Sequence, residues 1–293
     1  MSVTAVNGTY FGGSTGTTSY GSNLLFTKYH REIEPAVYEN GTFFPLIEEA
    51  ERPFNSLIIR KLAQFAAPTT LAATADGSGL TYNAAVDSQV TLTPVMKYQA
   101  VAVSELQMLQ METELPPVIK DALPDRLAQT VDADCLADVA TLTTTLLGTD
   151  GQLFSKAFLA LALSAGRTAS RSAWKGTKYL VYHTNRMQDV LMIPELTAAN
   201  LRGDSSNPNV SGVVLNGLGI EHHESANVYV DANAIAYNVM FRPSAFRIAF
   251  NLRPGMKVQD YELQTRIIVR ANYAHAVAWD DRAVMLKTKS SLT

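Results

Sequence analysis

At 293 residues with a formal net charge of −3, the chain is long enough for one large domain or two ordinary ones, and it lacks the basic excess that tight, phosphate-driven nucleic-acid binding requires. Its 17% of charged residues lies below the roughly 25% of an average soluble chain, as expected of a surface covered by neighbouring subunits or, equally, of one rich in Ser, Thr, Asn and Gln. The single cysteine, Cys135, excludes an internal disulfide; no stretch approaches the roughly 18 apolar residues of a membrane-spanning helix, and no basic segment followed by an apolar run opens the chain, so it is expected without a signal peptide, in the cytosol or in a particle assembled there.

Residues 1–30 are rich in Gly, Ser and Thr, the composition of a flexible arm. Yet Tyr10, Phe11, Tyr20, Phe26 and Tyr29 are interleaved with them, and linkers that stay disordered hold few aromatics. Such an arm can order against a neighbouring subunit or on its own domain. Asn40-Gly41 signals a turn, after which Phe43, Phe44, Leu46 and Ile47 are positioned to dock on a core. Residues 56–66 and 88–103 read as two strands, with Pro94 marking an edge or bulge. From Leu62 to Met96 there is no Lys or Arg. A two-stranded ribbon with a long tip cannot bury its faces alone, so it needs the body of its own domain or an adjacent molecule. The tip falls at Asp76-Gly77-Ser78-Gly79, which lacks the spacing and the lysine of a phosphate-binding loop.

Ser104 and Gln107 form a capping box for a short helix through about Glu114, stopped by Pro116-Pro117. The central element follows. Leu127, Val131, Cys135, Val139, Leu142 and Leu146 recur at helical spacing between Pro124 and Gly148, which predicts an amphipathic helix about 35 Å long serving as the spine of the subunit. Cys135 lies on its apolar stripe and reads as a buried structural thiol. Asp132, Asp134 and Asp138 do not share one helical face well and read as a solvated acidic face rather than a cation site.

Beyond the spine, residues 153–165 read as a buried helix, 178–183 as a strand and 185–192 as a helix. An exposed loop spans 201–212, a strand pair with a Gly turn 213–221, and further strands 227–230 and 234–241, together a second α+β lobe. Tyr261 to Tyr273 alternates with period two, a long half-buried strand. A hairpin is expected next, with Asp280-Asp281-Arg282 between Ala276–Trp279 and Ala283–Leu286. These strands would pack under the spine helix.

Chemistry has few footholds. His222-His223-Glu224 is the one local cluster among the five histidines, and adjacent strand residues point to opposite faces. No HExxH or GxSxG pattern occurs, and Leu215-Asn216-Gly217-Leu218-Gly219 is a turn rather than a dinucleotide fingerprint. No catalytic residue, cofactor or metal site is expected; a metal-dependent enzyme would have to draw on His183, His222, His223 and Glu224.

The order of elements, with the two runs TKYLVYHTNRMQDVLMIPEL…GVVLNGLGIEHHES and MKVQDYELQTRIIVRANYAHAVAWDDRAVMLKT, resembles the major capsid proteins of tailed bacteriophages, which have the Hong Kong 97 fold. The resemblance covers most of residues 36–288. It implies an α+β fold in which residues 1–30 are an N-terminal arm, 31–55, 101–148 and 256–293 a peripheral domain with the spine helix and long C-terminal strands, 56–100 an extended two-stranded loop, and 149–255 an axial α+β domain. It further implies a homo-oligomer of hexamers and pentamers forming an icosahedral shell, assembled in the host cytoplasm and located in the virion. Double-stranded DNA would be packaged inside and contacted weakly. A separate scaffolding protein and a portal are implied as partners, a decoration protein is compatible, and no membrane is involved. The arm and loop would lie across neighbours, making Tyr10, Phe11, Tyr20, Phe26, Thr70, Leu71, Asp76, Leu80, Tyr82 and Asp87 candidate interface residues. Some members crosslink through a loop lysine; none lies between Lys61 and Lys97, so no such bond is expected near the tip. A cellular encapsulin shell enclosing an enzyme is the alternative implied by the same fold.

Overall fold

The computed structural model describes residues 37, 40–51, 56–62, 87–104, 115–149, 152–170, 174–197, 216–217, 219–261 and 264–290. The candidate residues Tyr10, Phe11, Tyr20, Phe26, Thr70, Leu71, Asp76, Leu80 and Tyr82 lie outside them, as does the helix expected after Ser104.

Two sheets share one core. The first has four strands in the order β1-β10-β11-β4, formed by Glu48–Glu49, Phe246–Tyr261, Gln264–Val277 and Val95–Ser104. The second has six in the order β5-β12-β9-β6-β8-β7, formed by Leu146–Leu147, Ala283–Lys289, Ile235–Phe241, Tyr179–His183, Ile220–Ser225 and Asn216–Gly217. A separate antiparallel ribbon pairs β2 (Leu57–Leu62) with β3 (Asp87–Leu92). Most of the expected period-two strand is β11, whose odd positions Val269, Ala271 and Tyr273 are buried, but Tyr261 ends β10 and pairs with Gln264. Its partner β10 has no such alternation, because register shifts between Phe250 and Leu252 and between Leu252 and Gly255 break it.

The spine is helix α1, Leu115–Ala137. It begins earlier than the sequence pattern places it. Pro116 and Pro117 occupy the first described turn of this helix, where a proline forfeits no helical hydrogen bond. Pro124 is interior. Leu123, Leu127, Ala128, Val131, Cys135 and Leu136 form the buried stripe. The helix also ends earlier: a 3₁₀ turn at Asp138–Thr141 succeeds it, and Leu146 lies half-exposed in β5, paired with Met285. Gly148 is therefore no helix stop. Its φ is +88°, and a Cβ there would sit 2.3 Å from the Lys287 carbonyl oxygen, so glycine permits the close approach of this segment to β12.

Three further differences concern the second half. Residues 227–230 form a turn with a single bridge, Val230 to Ala236, rather than a strand. The segments around Asp280–Arg282 are not a hairpin: β11 and β12 belong to different sheets, and the 3₁₀ turn carries the chain between them. Residues 246–255, expected with the axial lobe, run in the long-strand sheet, while 283–289, expected with the peripheral part, are an inner strand of the six-stranded sheet.

One face of the six-stranded sheet, with Val181, Val239, Phe241 and Met285, shares a core with α1, the 43–47 turn and the long strands. The other face, with Leu180, Tyr182, Met240 and Leu286, packs on helix α2 (Lys156–Ser170) and on the short helices α3 (Met187–Leu191) and α4 (Pro194–Thr197).

Candidate functional site

Asp132 and Asp134 of α1, with Asp138 of the turn that follows, do not form the solvated face that their spacing suggests; each ties the spine to another element. Asp132 is 1% exposed and accepts hydrogen bonds from the backbone N–H groups of Thr42, Phe43 and Phe44 at 2.6, 3.0 and 2.9 Å. It thereby satisfies three backbone donors of the Asn40–Leu46 turn, two of them buried. Burial raises its carboxyl pKa, with the three N–H groups pulling the other way. Asp134 accepts from the Tyr273 hydroxyl at 2.5 Å and pairs with Lys97 at 3.0 Å. Asp138 meets His275 Nδ1 at 2.7 Å. The spine is thus fastened to β4 and β11 by polar contacts beside its apolar stripe. Sequence spacing missed this, because the partners lie far along the chain, most of them about 90–140 residues away.

The ribbon is rooted on the opposite side of the long strands. Leu92 is fully buried against Ala249 and Ala274, with Leu57, Ile59 and Ala276 packed around them. Across Thr93-Pro94 the chain turns directly from β3 into β4, so the proline marks a change of pairing partner from β2 to β11. Lys61 of β2 stands 6.0 Å from the Trp279 ring, which also stacks with Arg282 at 4.3 Å. Burial lowers the Lys61 pKa, opposed by Asp280 and Asp281. Asp87, the one interface candidate within the described residues, sits opposite Leu62 where the described ribbon ends. β4 closes the sheet at one edge, where Val95, Met96 and Tyr98 are exposed, Tyr98 to 71%. These apolar edge residues are the kind of surface that a neighbouring chain covers.

The histidines do not converge. His222 is buried with its ring 6.3 Å from Tyr182, on the α2 side of the sheet, and His223 meets Tyr179 at 5.7 Å on the other side. Glu224 is exposed. His183 accepts the Asn185 N–H on Nδ1 at 3.2 Å and caps the following turn. Among the described residues, no group of three or more His, Cys, Asp or Glu side chains could hold a metal ion. Cys135 is buried, and burial together with Asp138, Asp132 and Asp134 raises its thiol pKa far above the ordinary range, which fits a structural thiol.

No protein-family model matches the chain, and no curated protein sequence matches it. Solved structures do. A chain of Mycobacterium phage Che8 aligns with a TM-score of 0.64 at 22% identity, over 84% of this chain and 90% of that one. The capsid of cyanophage Pam1 aligns with a TM-score of 0.67 at 13% identity, over 85% and 92%. A virus-like particle from Pyrococcus furiosus aligns with a TM-score of 0.59 at 12% identity, over 89% and 99%. The fold is the Hong Kong 97-type α+β capsid fold.

Proposed function

We propose that this chain is a structural shell subunit, the major capsid protein of a tailed bacteriophage. Copies assemble into hexamers and pentamers of an icosahedral virion shell around double-stranded DNA. The observation that carries this reading is the extent of the likeness: it spans 85% of this chain and 92% of the Pam1 capsid chain, too much of either for one shared lobe. The ribbon and the aromatic arm supply contacts between copies. Their interface candidates are Tyr10, Phe11, Tyr20, Phe26, Thr70, Leu71, Asp76, Leu80, Tyr82 and Asp87. Many moderate contacts, repeated on every subunit, hold a shell without any single tight interface. A scaffolding protein and a portal complete the assembly, and the packaged DNA is touched weakly, in keeping with a net charge of −3.

The likeness to the Pyrococcus furiosus virus-like particle, 99% of whose chain is covered, supports a second reading, a cellular shell around protein cargo. The contents of particles purified from their native source separate the two. Nuclease-protected DNA of uniform length supports the phage reading. A protein cargo with no protected DNA overturns it in favour of the cellular shell.

A further inference from the structure

Asp138 stands where α1 gives way to the 3₁₀ turn Asp138–Thr141. The chain leaves that turn for β5 of the other sheet, so this is the joint between the spine and the six-stranded sheet. His275 of β11 faces it, with Nδ1 2.7 Å from Asp138 Oδ2. The groups facing the ring are Asp138 from the turn, Asp134 from α1 and Lys97 from β4, with the Tyr273 ring at 6.0 Å on its own strand. β10 places the uncharged Ile248 opposite. His275 also lines an open pocket of about 180 Å³ with Thr93, Val95, Lys97, Asp134, Tyr273 and Ala274, so protons reach it from solvent.

We propose that the His275–Asp138 pair is a proton-operated latch that clamps the C-terminal end of the spine helix to β11 when His275 is charged and loosens when it is neutral. A charged imidazolium keeps a proton on Nδ1 for the carboxylate, whereas a neutral ring can carry its one proton on Nε2 and turn a lone pair toward Asp138. The geometry favours the charged form. The bond to Asp138 and the charges of Asp138 and Asp134 outweigh burial and Lys97, and raise the pKa above the ordinary 6.5. With a raised folded-state value, the latch contributes fully below about 6.5 and is lost as pH rises through the folded pKa. The segment beyond the turn has a second tether with no histidine: Asp280 accepts from the backbone and hydroxyl groups of Thr143 and Thr144 at 2.6–3.2 Å. Loosening is therefore confined to the end of α1 and the turn. This inference concerns the subunit's own fold and does not depend on the shell reading.

The test is hydrogen exchange by mass spectrometry on the full chain between pH 6 and 9, corrected for intrinsic exchange. Protection of the amides in 134–142 is expected to fall severalfold across that range. His275→Gln should show low protection that is flat with pH, and His275→Arg, which keeps the charge, should hold its protection at pH 9. Wild-type protection that does not change with pH overturns the latch. So does His275→Gln retaining the wild-type pH dependence, or His275→Arg losing protection at pH 9.

Discussion

Asp132 sets the geometry at the residue scale. It replaces water for three backbone N–H groups, those of Phe43 and Phe44 buried, so Asp132→Ala leaves the two buried ones unpaired. The variant is expected to lose about 2–4 kcal/mol of unfolding free energy, read from denaturant unfolding. Its pH behaviour also differs from that of an ion-paired surface carboxylate. Because burial raises its pKa above 3.8, the folded chain holds the Asp132 proton more tightly than the unfolded chain does. Its contribution is largest below about 3.8 and declines as pH rises through the folded value, so protonating Asp132 does not drive acid unfolding. Asp132→Asn, compared with wild type between pH 3 and 7, should remove that part of the slope. Gly148→Ala is expected to cost about 1–3 kcal/mol, because the new Cβ would meet the Lys287 carbonyl at a positive φ; thermal melting measures it. Neither residue is conspicuous in the sequence. An aspartate on a helix and a glycine after one have ordinary meanings there, and their partners Thr42–Phe44 and Lys287 are remote.

Among the elements, local periodicity survives and pairing does not. β11 could be read in the alternation around Val269 and Ala271, and the spine in the spacing of Leu127, Val131 and Cys135, because each buries one face. The start of the spine was obscured by Pro116 and Pro117, which both break and begin helices. Strand β10 was not legible, since its bulges interrupt the alternation. The hairpin expected around Asp281 had the right turn but the wrong partner: β12 pairs with β9 and β5, a choice made by the packing of Val284 and Leu286 against α2. The ribbon was legible at its root, because strands β2 and β3 flank a stretch without Lys or Arg. Its role is tested by deleting Thr70–Ala84. The root burial of Leu92, Leu57 and Ile59 stays in place, so the variant is expected to keep wild-type circular dichroism and melting while failing to form closed shells. Normal shells from the deletion would remove the ribbon from the account of assembly.

At the scale of the whole molecule, two sheets and the spine helix share one core, and the root of the ribbon packs on the long strands. The subunit's exposed apolar residues, Val95, Met96 and Tyr98, line a sheet edge. The fold was legible in the order of elements even though several boundaries moved. The functional surface was less so, because contacts between copies use ordinary polar and apolar side chains rather than a chemical motif. The most direct test is the particle size of the purified full-length protein, by light scattering with negative-stain electron microscopy, with and without a co-expressed scaffolding protein. Capsomers, closed shells or tubes of uniform width are expected. A protein that stays monomeric at every concentration under both conditions would contradict the shell reading.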